Sequence, residues 1–126
     1  HQLEHELIGM FDVAHGAGLA ALWGSWARYV YKENVSRFVR FAVNVMGVTN
    51  DFTSAERTAL QGIEAMERFY RAIGMPTNIR ELIGRELTEE EIVEMAEKCS
   101  NKGTETVGSF KVLHRGDMEN IYRMAK

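Results

Sequence analysis

The chain has 126 residues, of which 45% are hydrophobic and 26% are charged, a balance typical of one soluble globular domain. The net charge of −3 argues against a nucleic-acid-binding surface. No apolar run approaches the roughly 18 residues that a membrane-spanning helix needs. A single cysteine, Cys99, excludes an intramolecular disulfide and is consistent with the reducing cytoplasm.

The first residues already follow a helical pattern. Leu3 and Leu7 are four residues apart, and Gly9 is expected to interrupt the helix and start a loop over residues 9–16. The chain has no initial methionine and no signal-peptide pattern at His1. We therefore expect a fragment of a longer protein.

Two further segments place apolar residues at intervals of three and four, which predicts helices with one buried face. The first segment contains Leu19, Leu22, Trp23, Trp26 and Val30, and the second contains Val35, Phe38, Val39, Ala42, Val45 and Met46.

Helix-end signals divide the rest of the chain. Residues 53–54 offer an N-cap, and Gly74 suits the left-handed end of the helix that follows. Residues 88–91 read Thr-Glu-Glu-Glu, a capping box that predicts a helix over 89–99. Asp117 is predicted to cap a final helix. We expect an all-α bundle of five to seven helices.

Three of the four histidines fall within the first fifteen residues. On a helix, His1 and His5 would lie only about 40° apart around the axis, so both imidazoles could reach one metal ion. His15 follows Asp12 and precedes Gly16, where backbone can approach a ligand closely. The alternative is that all three are ordinary surface or core histidines.

The segment 16–21, Gly-Ala-Gly-Leu-Ala-Ala, matches the dinucleotide-binding fingerprint. That fingerprint functions between a buried strand and the helix of a βαβ unit. No segment before or after it here is typical of such a strand. We therefore expect no dinucleotide site at this position.

The spacing of these histidines, H-x3-H followed by x9-H-G-x-G, resembles the signature of the iron-dependent alcohol dehydrogenases, with the butanol-dehydrogenase-like branch nearest. Residues 62–70 and 73–77, followed by Asp117, Ile121 and Tyr122, also resemble that family, so the likeness extends over essentially the whole chain. It implies the all-helical C-terminal domain of a two-domain enzyme, with the active site in the cleft between the domains.

The resemblance also implies roles for single residues. The family holds its metal with one aspartate and three histidines, of which His1 and His15 resemble the last two. His5 resembles an active-site histidine that lies near substrate and nicotinamide without being a ligand. The other two ligands and the nucleotide-binding domain are expected before His1. Residues 1–126 would then form one metal-binding helical domain.

The implied reaction is hydride transfer between a small alcohol or aldehyde and NAD or NADP, assisted by Fe²⁺ or Zn²⁺. Met10 and Phe11 could line an apolar substrate pocket, and His5 could relay a proton. The chain alone is expected to be inactive. Its face around Met10, Phe11 and His15 would be covered by the missing domain, so we expect the isolated chain to self-associate and the enzyme to be a homo-oligomer.

Two other interpretations stay open at this point. The chain could be an all-α interaction module without chemistry. It could also be a small helical zinc protein that uses His1, His5 and His15 together. Contact between His5 and the metal would distinguish the zinc-protein interpretation from the dehydrogenase interpretation.

Overall fold

Helices make up the fold of residues 1–101 and 110–126, which are the residues described by the computed structural model. They are α1 (Gln2–Phe11), α2 (His15–Val30), α3 (Val35–Arg40), α4 (Ala55–Ala72), α5 (Ile79–Ile83), α6 (Glu89–Cys99) and α7 (Arg115–Ala125). A 3-10 turn, Tyr31–Asn34, joins α2 to α3, and a π-helical turn, Phe41–Val45, follows α3. The all-α prediction is confirmed.

The central helix is α2, which packs against α1, α4, α5 and α7. Most of the buried residues of α2 are small. The small ones are Gly18, Ala20, Ala21, Gly24, Ser25 and Ala27. Short side chains let several neighbours approach one helix axis closely, which explains how α2 can be surrounded. The larger side chains predicted to form its buried face divide into two groups. Leu22 and Val30 are buried, whereas Leu19, Trp23 and Trp26 are only half-buried.

The local helix-end predictions are mostly confirmed. Ser54 caps α4 by accepting a hydrogen bond from the backbone N–H of Arg57 at 3.2 Å. Gly74 adopts a φ of 81° just beyond α4. Thr88 and Glu91 form the predicted capping box at the start of α6, whose bounds agree with the predicted 89–99.

Two boundary predictions were wrong. Gly9 does not interrupt α1, which continues to Phe11 and ends at Asp12 in the left-handed conformation with a φ of 52°. A glycine in an exposed helix lowers its stability by only about 1 kcal/mol. Leu3 and Leu7 are buried in the core and hold α1 in place. The second error concerns Asp117, which is not the N-cap residue of α7. It lies in the first turn of α7, where Oδ2 accepts the backbone N–H of the N-cap His114 at 2.9 Å.

Polar contacts between distant residues join the helices. The hydroxyl of Tyr122 donates to the carbonyl oxygen of Leu3 at 2.6 Å and ties α7 to α1. Arg28 on α2 makes a bidentate pair with Glu67 on α4, at 2.9 and 2.5 Å. Both contacts connect elements that already bury apolar faces, so they fix the register of the packing.

The described helices give no candidate for a membrane span, because none combines sufficient length with sufficient hydropathy.

Two glycines offer a matched test of the packing. A methyl group at Gly62 in α4 would lie 2.5 Å from Cβ of Ala42, whereas one at Gly9 would meet no atom of the described residues within 4 Å. Gly62→Ala should therefore lower the free energy of unfolding by about 1–3 kcal/mol through overpacking. Gly9→Ala should raise it by about 0.5–1 kcal/mol through helix propensity. Urea unfolding followed by circular dichroism measures both, and shifts of the same sign would contradict this packing.

Stability should also depend on pH through Glu91. Its hydrogen bonds to Arg85, at 2.8 and 2.7 Å, are the main cause that lowers the pKa of its carboxyl from 4.5 to about 2. The stabilisation from these contacts is therefore complete above pH 4.5 and is lost as the pH falls towards 2.

Glu91→Gln should accordingly destabilise the chain at pH 7, and the difference from the unchanged chain should shrink between pH 4.5 and 2. Urea unfolding at a series of pH values measures this difference. Glu90→Gln, the same change at the exposed neighbour, is the control. A pH-independent difference for Glu91→Gln would show that its charge does not matter.

Candidate metal and substrate site

The three amino-terminal histidines lie together on one exposed edge of the bundle. The rings of His1 and His15 are stacked, with centroids 5.7 Å apart and an interplanar angle of 22°. The ring of His5 is 6.3 Å from that of His15 and is tilted by 58°. The structure brings together all three histidines that the sequence singled out.

Two helix starts and one short turn create this edge. His1 caps α1, and His5 follows one helical turn later. Residues 12–14 then reverse the chain, with Asp12 in the left-handed conformation. His15 is the first residue of α2, rather than part of the longer loop predicted from Gly9. The tighter turn brings its ring beside the start of α1.

Glu4, which was not predicted as a site residue, lies in the interior directly beneath the histidine edge. Its side chain is 1% exposed, and Oε1 lies 3.0 Å from Nδ1 of His15. Despite this short distance, neither carboxylate oxygen has a hydrogen-bond partner among the described residues. The sequence did carry a signal, because Glu4 is one residue after Leu3 and three before Leu7 and must share their buried face.

The histidine edge fits part of a metal site. Two imidazoles that share one ion with metal–nitrogen bonds of about 2.0–2.1 Å have ring centroids roughly 5–6 Å apart, and His1 and His15 meet this requirement. Within residues 1–101 and 110–126, however, no three histidine, cysteine or acidic side chains are arranged to hold a metal together. The small zinc protein with three histidine ligands therefore finds no support in this geometry.

An aromatic cavity opens beside His1. Its volume is about 320 Å³, and its lining residues are His1, Leu3, Glu4, Leu19, Leu22, Trp23, Trp26 and Tyr70. Burial raises the pKa of Tyr70, so its hydroxyl remains a neutral donor at ordinary pH. The mainly apolar wall next to an imidazole suits an alkyl group with a polar end.

Met10 and Phe11 lie elsewhere. Both are half-buried and pack against the hydrophobic core. The guanidinium of Arg85 lies over the Phe11 ring, 5.5 Å from its centroid. Neither residue lines the cavity beside His1.

The fingerprint-like glycines lie inside α2, with α1 and a three-residue turn before them. The strand that a dinucleotide site requires does not precede them, in agreement with the sequence analysis. Gly18 has a packing role instead, because a methyl group there would lie 2.9 Å from Oε1 of Glu4 and 3.0 Å from its Cγ. Its small size makes room for the buried carboxylate.

Cys99 is buried in α6, as the sequence predicted. Burial raises the pKa of its thiol to about 11. Only the thiolate is nucleophilic, so this environment favours a structural role.

Alkylation should therefore distinguish the folded from the unfolded chain. At pH 8, iodoacetamide should modify Cys99 at least roughly 100-fold faster in 8 M urea than in buffer, because both the thiolate fraction and access increase on unfolding. Mass spectrometry of quenched samples gives the two rates. Similar rates would indicate a reactive, accessible thiol.

Comparison with known proteins agrees with this geometry. The profile described as "Fe-containing alcohol dehydrogenase family, C-terminal" matches residues 1–126. A probable NADH-dependent butanol dehydrogenase of Bacillus subtilis is 30% identical over 123 residues, which cover 98% of this chain and 30% of that protein. NADH-dependent butanol dehydrogenase A of Clostridium acetobutylicum is 29% identical over 125 residues, which cover 98% of this chain and 31% of that protein.

The crystal structure of an NADH-dependent butanol dehydrogenase A from Thermotoga maritima superimposes with a TM-score of 0.86 at 31% identity. The match covers 99% of this chain and 32% of that one. The chain thus spans about three tenths of the length of the curated relatives it matches. It belongs to the iron-containing alcohol dehydrogenase family and corresponds to the C-terminal helical part of its members.

Proposed function

We propose that residues 1–126 form the metal-binding helical domain of a two-domain, NAD(P)-dependent alcohol dehydrogenase. The observation that carries the proposal is the convergence of His1, His5 and His15 on one exposed edge, with ring centroids 5.7 and 6.3 Å apart. An exposed cluster of imidazoles beside an apolar cavity suits a site that a second domain completes.

In this proposal His1 and His15 hold a divalent ion, Fe²⁺ or Zn²⁺, both of which accept neutral imidazole ligands. Two imidazoles leave the ion under-coordinated, so the remaining ligands come from outside this chain. When bound, the ion would polarise the oxygen of the alcohol or aldehyde. The relatives' greater length supports a separate domain that supplies those ligands.

Oxidation of an alcohol removes a hydride from carbon and a proton from the hydroxyl group. A nicotinamide cofactor, when bound, would accept the hydride, and we assign its binding to the missing nucleotide-binding domain. We assign the proton to His5, because its ring is exposed and lies next to that of His15. Histidine is the side chain that ordinarily exchanges protons near neutral pH, so it suits a relay to solvent.

The substrate in this proposal is a small alcohol or aldehyde. Met10 and Phe11, which do not line the cavity beside His1, are proposed to make apolar contacts with the substrate outside that cavity, as predicted from the sequence. The partners are the nucleotide-binding domain and further copies of the enzyme, and the reaction takes place in the cytoplasm. NADH is the cofactor named for the relatives in Bacillus and Clostridium, which favours NADH over NADPH here.

The test uses the two-domain polypeptide that contains this chain, loaded with Fe²⁺ or Zn²⁺ and assayed with butanal and NADH or NADPH. His15→Ala should lower bound metal and kcat/KM by more than about 100-fold, because even loss of a group that only orients a ligand costs 10–100-fold. His5→Ala should keep the metal and lower kcat by about 10²–10⁴-fold.

His114→Ala is the matched control, since His114 is an exposed histidine that caps α7. It should leave metal content and kcat/KM unchanged. Full activity in His15→Ala would show that the metal site is wrongly assigned. Turnover by the 126-residue chain alone would show that no second domain is required.

A further inference from the structure

Glu4 presents an energetic problem within the described structure. Its carboxylate is 1% exposed, and neither oxygen has a hydrogen-bond partner among the described residues. A buried polar group without a partner costs about 1–3 kcal/mol, and a charged group costs more. Leucine at this helical position would avoid that cost, and glutamine would avoid the part that comes from the charge. A carboxylate that persists in such a place suggests a partner that completes its contacts under working conditions.

The surrounding helices make room for this carboxylate. Gly18 lies against it, so that a methyl group there would be 2.9 Å from Oε1 and 3.0 Å from Cγ. Leu3 and Leu7, which flank Glu4 along α1, are buried in the core. The side chain is thus enclosed by neighbouring helices, and Glu4 is also one of the residues that line the cavity beside His1.

The imidazole of His15 lies beside this carboxylate. Nδ1 of His15 lies 3.0 Å from Oε1 of Glu4, and its ring is partly open to solvent, with 54% of the side chain exposed. One ring nitrogen therefore faces a buried carboxylate, while the rest of the ring faces the shared histidine edge. This is the arrangement in which a carboxylate sets the orientation of a metal-binding histidine.

We propose that Glu4 is a positioning residue for His15. Its carboxylate accepts the Nδ1–H of the imidazole, which leaves Nε2 as the nitrogen available to the metal ion. This inference rests on the proposed function, because it assumes that His15 is a ligand. The 3.0 Å contact between Nδ1 and Oε1 would become this hydrogen bond on metal binding, as functional hydrogen bonds commonly tighten when a ligand binds.

Two consequences follow for His15. The hydrogen bond fixes one tautomer of a neutral ring that otherwise has two. It also increases the electron density on Nε2 and strengthens its bond to a cation. Gly18 contributes indirectly, since a larger residue there would push the carboxylate away from Nδ1.

The test measures the affinity of the two-domain polypeptide for Zn²⁺ by competition with a chromophoric chelator. Glu4→Gln should weaken zinc binding about tenfold and Glu4→Leu by up to about 100-fold. Gly18→Ala should also weaken it, because the added methyl group displaces the carboxylate. Glu6→Gln removes the same charge from the same helix and should have no effect.

Thermal unfolding without metal separates positioning from mere packing. Glu4→Gln removes an unpaired buried charge, so its Tm should equal or exceed that of the unchanged protein. Weaker zinc binding together with an undiminished Tm supports the positioning role. A lower Tm with unchanged zinc affinity would show that Glu4 is structural, and the inference would be wrong.

Long-range ¹H–¹⁵N spectra of the histidine side chains add a readout that is independent of zinc. His15 should be an Nδ1–H tautomer in the unchanged protein and a mixture of tautomers in Glu4→Leu. If His15→Ala does not alter zinc affinity, the proposed metal site fails, whatever the tautomer. If His15→Ala weakens zinc binding but Glu4→Gln behaves like Glu6→Gln, only the role of Glu4 fails.

Discussion

The close approach of α1 to α2 is the constraint on which both the packing and the site depend. Gly18 has no side chain, so Glu4 can be buried between the two helices. The same approach places the first residue of α2 beside the first turn of α1, and the histidine rings meet there. A bulkier residue at Gly18 would separate the helices and move His15 away from His1. Packing and chemistry are therefore controlled by the same contact.

The parts of the fold that were predictable from the sequence are those that local chemistry determines. The Ser54 cap, the capping box at Thr88 and the left-handed Gly74 each depend on residues within one or two turns. The wrong boundaries arose where tertiary contacts override local preference. Gly9 stays helical because α1 is anchored by buried leucines, and helix α5 (Ile79–Ile83) was missed because five residues carry little periodicity.

The sequence predicted which histidines form the cluster, but it did not predict how their rings are arranged. The spacing of His1, His5 and His15 identified the cluster, and the i, i+4 rule allowed His1 to pair with His5. In the structure His1 stacks on His15, since the turn at residues 12–14 folds α2 back on α1. Sequence spacing cannot give the angle of such a turn. Glu4 was missed because an acidic residue on a short helix is usually assumed to face solvent.

The hydrogen bond from Tyr122 to the carbonyl oxygen of Leu3 joins residues that are 119 positions apart. Helix α1 also packs against α6, so its inner face is covered by elements made long after it. During synthesis, the ribosome releases α1 and the three histidines well before α6 and α7 have emerged. The inner face of α1 is covered only once nearly all of residues 1–126 have been made. The three histidines therefore lie next to a helix whose inner face stays uncovered until synthesis of these 126 residues is almost complete.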